Sequence, residues 1–190
     1  MRKLGLAGLA FVLGIPALAQ ISSNGPVIAD YGKHITAGDA TEARIAKEVR
    51  HELLMLPWYS LFDSLEFSVQ DRTVTLSGYV TGEHAATKSD AENVVKHIEG
   101  VERVINKIKV LPPSPLDDRV RRQVYEALYR SGTLSRYFWQ AAPSIHIIVE
   151  NQRVTLLGIV NSEGDKNLAT IAANGVPGVF QVTNDLRVVK

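Results

Sequence analysis

The chain has no cysteine, which leaves it no disulfide framework, no thiolate metal cluster, no thiol nucleophile and no lipid attached to a leading cysteine. It also lacks a surplus of either charge. Its 21 basic and 20 acidic residues give a formal net charge of +1, which argues against a strongly cationic nucleic-acid binder, and no nucleic-acid partner is expected. Catalytic signatures are missing as well. There is no G-x-S-x-G elbow or phosphate loop, and His34, His51, His84, His97 and His146 form no H-E-x-x-H pair. What is present is an ordinary globular composition, 45% hydrophobic and 22% charged, with room for one or two small domains.

The amino terminus reads as an address. Arg2 and Lys3 precede an apolar run from Leu4 to Ile15, then Pro16 and Ala17-Leu18-Ala19, the layout of a secretory signal with an A-x-A cleavage site. The run is shorter than the roughly 20 residues that span a bilayer. Removal of residues 1–19 leaves 19 basic and 20 acidic residues, net −1. Export through a cleavable signal implies a periplasmic location, where a cysteine-free chain avoids mispaired bridges. Residues 20–38, with Ser22-Ser23-Asn24-Gly25-Pro26, read as an unstructured leader.

The remainder repeats itself. Val74, Thr75, Leu76, Gly78 and Val80 recur as Val154, Thr155, Leu156, Gly158 and Val160, at an offset of 80. Gly100, Val101, Val104 and Asn106 recur as Gly178, Val179, Val182 and Asn184, and Ile45/Val49/Leu53 as Val120/Val124/Leu128. The spacing predicts an α+β chain of two tandem small α/β sandwiches, residues 39–111 and 116–190, joined by a stiff proline-rich linker at 112–115. Each is expected to run helix-strand-strand-helix-strand, with both helices on one face of a three-stranded mixed sheet.

The first helices carry apolar stripes at every fourth position, one opened by an Asp39-x-x-Glu42 capping box and the other by Ser114-Pro115-x-Asp117. Hairpins follow, with turns at Gln70-Asp71 and Glu150-Asn151. The second helices use Ala91/Val94/Val95/Ile98 and Leu168/Ile171/Ala172, and last strands run from Val104 to Val110 and from Val182 to Val188. Gly78 and Gly158 inside strands imply close backbone approach, and Asn106 and Asn184 imply a turn-like or strand-edge hydrogen bond. At roughly 70 residues each unit is near the lower size limit for a stable core, so the two are expected to pack together.

An amphipathic helix, then V-T-L-x-G-x-V, then a helix ending in G-V-x-x-V-x-N resembles the BON domain, named for bacterial osmotically inducible and nodulation proteins. The pattern occurs as Val74 to Val80 with Gly100 to Asn106, and again as Val154 to Val160 with Gly178 to Asn184. The resemblance implies a non-enzymatic envelope protein without cofactor, binding phospholipid membranes or associating with outer-membrane machinery, often in osmotic or envelope stress. Its place would be the periplasm, including the inner face of the outer membrane. In lipid-binding relatives with two such domains, the first helix of the second domain is implicated. Two segments depart from tidy members, Pro57-Trp58-Tyr59-Ser60-Leu61-Phe62 and Leu134 to Gln140.

The residues themselves point to the same helix. On a wheel, Arg122, Tyr125 and Tyr129 cluster opposite the core side of Val120, Val124 and Leu128, with Arg119 at the flank. Tyrosine offers an apolar body with a polar tip, and arginine pairs with phosphate, so the cluster suits an anionic phospholipid surface. Residues 20–114 hold 10 basic and 13 acidic groups, whereas 115–190 hold 9 and 7, which places the basic bias on the second unit. Arg130, Arg136, Tyr137, Phe138 and Trp139 extend this composition into the following loop. Phe138 and Trp139 have two uses open to them, insertion at an interface or filling the seam between units. An envelope protein is the alternative partner for the same surface. Glu48, His51 and Glu52 share a helix face, an arrangement common on solvated helices, and neither metal ligands nor catalytic residues are assigned.

Overall fold

The computed structural model describes residues 37–139 and 143–189, with side chains from residue 40; the expected signal and nearly all of the expected leader lie outside them. Two units of the same design follow one another. The first comprises α1 (Ala37–Leu54), β1 (Ser64–Gln70), β2 (Thr73–Val80), α2 (Ala86–Lys96), β3 (Arg103–Asn106) and β4 (Lys109–Val110). The second comprises α3 (Pro115–Arg130), β5 (Ile145–Glu150), β6 (Arg153–Val160), α4 (Glu163–Asn174) and β7 (Gln181–Val188). In each, the middle strand pairs antiparallel with the first and parallel with the last, and the helices cover one sheet face. The α+β class and the element order are those the spacing predicts. The first unit's last strand differs in one respect: it is broken at Lys107–Ile108, so that β3 and β4 pair separately with β2.

The helical stripes go where the period of four sends them. Ile45, Val49 and Leu53 have no exposed surface, and Val120, Val124 and Leu128 are equally enclosed in the second core. Ser114 caps α3 by accepting a hydrogen bond from the Asp117 backbone N–H, with Pro115 as the first helical residue. The other expected start is corrected. α1 begins at Ala37, so Asp39 lies inside the helix, and Glu42 instead accepts a hydrogen bond from the Asp71 backbone N–H, 2.7 Å away. Asp117 does the same in the second unit, accepting from the backbone N–H groups of Asn151 and Gln152. A carboxylate at the start of each first helix thus braces the hairpin turn.

Those turns lie one residue beyond the expected positions. Asp71-Arg72 and Asn151-Gln152 have positive φ at both residues, which matches the right-handed twist of two-residue hairpins. Gly78 and Gly158 have φ of +107° and +124°, and a Cβ on either would stand 2.0 Å from a backbone oxygen, that of Ser64 or Ser144. Asn106 and Asn184 each donate to a helix carbonyl, Lys88 or Lys166, and accept from the backbone two residues on, clamping the last strand to the second helix. On α4 the buried face is Ala169 and Ala173, while Ile171, expected in the core, is exposed. The small alanines let α4 approach its neighbours closely.

The units pack together, and the first supplies the filling. Tyr59 stacks on His146 of β5, the Ile147 N–H donates to the Leu61 carbonyl at 2.8 Å, and Leu61 and Phe62 rest on the second core. Leu111 and Tyr79 meet Ile148 and Leu157, and Lys109 pairs with Glu150 across the seam. β5 is therefore buried on both faces from Ile145 to Val149, whereas β1 is half open beyond Leu65.

Candidate functional site

α3 carries a basic and aromatic ridge whose position follows from its caps and stripe. Arg121 turns inward, donating to the Val149 carbonyl and to Asp118, and is spent on structure. Arg119 and Arg122 are exposed and make no ion pair or hydrogen bond with any described residue. One turn on, Tyr125 lies 5.7 Å from the Tyr129 ring and meets Phe138 edge-to-face at 5.4 Å. Tyr125 and Phe138 are half-buried against the second core, so the wheel overstates the freedom of Tyr125: the loop after α3 folds back over it. Tyr129 and Trp139 remain exposed.

Arg136 has a different role from its two neighbours on α3. It pairs with Asp165 at 2.7 Å and also donates to the Tyr137 hydroxyl, while Tyr137 itself donates to Asp165. Burial works to raise the Asp165 pKa, but the bonds from Tyr137 and Ser162 and the charge of Arg136 outweigh it and hold the carboxyl below its usual range. This cluster fastens the loop to the start of α4. Arg119, Arg122, Tyr125, Tyr129, Phe138 and Trp139 thus lie along α3 and its loop, with Arg136 anchoring the loop. Phe138 packs against the second core, on which Leu61 and Phe62 of the first unit's loop also rest.

The first unit has a groove of about 530 Å³ between α1 and α2, lined by Glu48, His51, Glu52, Asn93, His97 and Glu99 with the apolar Val94 and Ile98. The His97 ring bonds the Asn93 carbonyl and Glu48 pairs with Arg44. Among the described residues no group of three or more His, Asp or Glu is placed to hold a metal ion.

Two features went unassigned in the sequence. Asp63 is fully buried, and accepts from the Ser60 N–H and hydroxyl, the Thr81 N–H and the His84 ring. The second unit meets the matching need with Tyr137, whose hydroxyl accepts from the Asn161 N–H. The other feature is an exposed apolar turn after α1, with Met55 67% and Trp58 63% exposed. The run of large residues at 53–62 signals an apolar segment, but not which of its side chains face water. Among the described residues no helix is long and apolar enough to cross a membrane.

The family profile described as the BON domain matches residues 41–112 and again 117–190. No curated protein sequence matches the chain. Among solved structures, the chain is similar to the C-terminal domain of CdsD, a structural protein of the type III secretion system of Chlamydia trachomatis, at 19% identity and a TM-score of 0.31. That match covers 68% of this chain and 58% of the other. A second CdsD structure matches at 12% identity and a TM-score of 0.31, covering 77% of this chain and 92% of the other.

Proposed function

Because the chain belongs to the BON domain family, with two copies spanning most of its length, we propose that it is a non-enzymatic exported envelope protein that binds the surface of anionic phospholipid membranes. The family is associated with phospholipid binding and with envelope and secretion proteins. In this reading residues 1–19 direct export to the periplasm, 39–111 and 116–190 are the working units, and maintenance of the envelope under osmotic or other stress is the setting. The observation that carries the reading is the exposed pair Arg119 and Arg122, which make no ion pair or hydrogen bond among the described residues, on the helix whose Tyr125 and Tyr129 stack with Phe138 of the following loop. Exposed guanidinium groups without a partner among the described residues are available to phosphate, and adjoining rings suit the headgroup layer.

The test is co-sedimentation with zwitterionic vesicles containing increasing amounts of anionic phospholipid. Binding rises with the anionic fraction and weakens with salt. Arg119→Glu/Arg122→Glu lowers the bound fraction at least about tenfold, since each membrane-adjacent charge contributes about 1 kcal/mol. Both side chains are exposed, so the unfolding curve stays where it was. Unchanged sedimentation of this variant would sink the reading. The second reading, an adaptor for outer-membrane or other envelope proteins, draws on Leu116 and Phe180, exposed apolar side chains outside the aromatic stack. It gains if crosslinking recovers a stoichiometric protein and vesicles recover nothing.

A further inference from the structure

The two units share one design, and their helix-side surfaces differ at equivalent positions, offset by 75 on α1 and α3 and by 78 from α2 and α4 onward. In the first unit this surface is acidic. Glu48 and Glu52 of α1 line one groove with Asn93 of α2 and with Glu99, while Thr41 opens α1 and Glu102 precedes β3. In the second unit Gln123 and Ala127 take the places of Glu48 and Glu52, Ile171 that of Asn93, Pro177 that of Glu99, Leu116 that of Thr41 and Phe180 that of Glu102. Four carboxylates are gone, and Leu116, Ile171 and Phe180 stand 54%, 69% and 75% exposed. The one carboxylate gained, Glu126 in place of His51, is paired with Arg130. The charge of the arginine is released by the same change. Arg44 is held by Glu48 at 3.0 Å and by the Glu99 carbonyl, whereas its counterpart Arg119 has Gln123 beside it and no ion pair or hydrogen bond among the described residues.

Local contacts place these side chains together. Leu116, Arg119 and Gln123 form one row on α3, being three and four residues apart. Asp117, next to Leu116, accepts from the Gln152 N–H, and the Phe180 N–H donates to the Gln152 carbonyl, so Leu116 and Phe180 flank one turn residue. Gly178 lies against Val120 of α3. Ile171 points away from Ala169 and Ala173, the buried side of α4. We infer that the outer face of the α3–α4 pair is the membrane-contact plane of the second unit, in which Leu116, Ile171 and Phe180 enter the interfacial layer around Arg119 and Arg122. The inference rests on the lipid reading above and deepens it, adding α4 and the turn before β7 to a site placed so far on α3 and its loop. Charge complementarity on the face itself selects the occupant. Unpaired guanidinium groups set among exposed apolar side chains suit a layer that offers phosphate and hydrocarbon side by side, which an anionic bilayer does.

Because the chain has no cysteine, a single introduced thiol carries an environment-sensitive fluorophore without competition. Ile171→Cys and Phe180→Cys report on the plane, and Asn93→Cys on the equivalent place in the first unit; all three positions are exposed. On anionic vesicles containing brominated phospholipid, the labels at 171 and 180 are expected to shift to the blue and to be quenched, and the label at 93 to stay as it is in water. Ile171→Gln/Phe180→Gln is expected to weaken vesicle partition about tenfold through the loss of inserted apolar surface, with unfolding unchanged. Bound protein whose labels at 171 and 180 remain in water overturns the plane and leaves lipid binding intact. Quenching at only one of the two, quenching at 93 as well, or unchanged partition of the double variant overturns it equally. Shielding of both labels by an envelope protein but not by vesicles gives the face to a protein instead. Absence of vesicle binding by the unaltered chain overturns the underlying reading too.

Discussion

At the scale of single residues, backbone geometry sets harder limits than side-chain chemistry. Gly78 and Gly158 hold a φ that L side chains avoid, and a Cβ would overlap a carbonyl that is fixed by the strand pairing. Gly78→Ala is therefore expected to cost about 3 kcal/mol or more, read as a lowered urea midpoint of the transition. Gly164, in the first turn of α4, has only the Ser162 hydroxyl within reach of a Cβ, at 3.5 Å. Gly164→Ala should leave stability unchanged or raise it by about 0.5 kcal/mol. Equal effects at the two sites would show that the strand glycines are merely tolerated. The recurrence of the glycine at an offset of 80 is visible in the sequence; that it faces a neighbouring carbonyl is not, because a strand pattern does not reveal φ.

At the scale of elements, the helix starts and hairpin turns work as one joint. Asp117 is buried and accepts from two turn amides, whereas Glu42 serves one amide near the surface. Asp117→Ala is expected to cost about 2 kcal/mol, and to speed hydrogen exchange at Asn151 and Gln152, because charged acceptors are removed from donors that then lack partners. Glu42→Ala should cost about 0.5 kcal/mol, given its exposure to solvent. A reversed order would show that the brace is incidental. The sequence marked both acidic residues as helix-start signals, which is local chemistry, but the turn amides they serve lie 29 to 35 residues away. The broken edge strand and the exposed Ile171 escaped for a similar reason. Period alone does not say where a strand bulges or how closely two helices approach.

At the scale of the molecule, the seam makes the two units one body and introduces a titratable group into it. Burial pushes the His146 pKa down, against the pull of the Asp63 carboxylate from the other unit. Tyr59 stacks on the ring, Asp63 is tied to His84, and burial raises the Tyr59 pKa, so that phenol stays neutral. His146 is therefore neutral in the closed seam, whereas in the opened or unfolded chain it regains a pKa of about 6.5. Stability from this site is fully present above about pH 6.5, and falls as pH drops towards the lowered folded value, because only the open state takes the proton. Unfolding free energies measured from pH 7.5 to 5 should decline more steeply for the unaltered chain than for His146→Phe. Parallel declines would remove His146 from the seam's pH response.

The sequence by itself determined the repeat, the element order, the two helical stripes, the Ser114 cap and the family, because each is written in short-range spacing. It also located the candidate ridge on α3, since a helical wheel needs only the period. Tertiary structure decided which of those side chains are free. Arg121 and Arg136 are drawn into ion pairs, Tyr125 and Phe138 sink against the second core, and Arg119, Arg122 and Trp139 stay exposed. It also decided that Tyr59, Leu61 and Phe62 pack at the seam, while Trp139 stays exposed. A neutral, cysteine-free composition is silent on such choices, because they depend on contacts between residues about 80 positions apart, where packing and desolvation rather than local preference set the outcome.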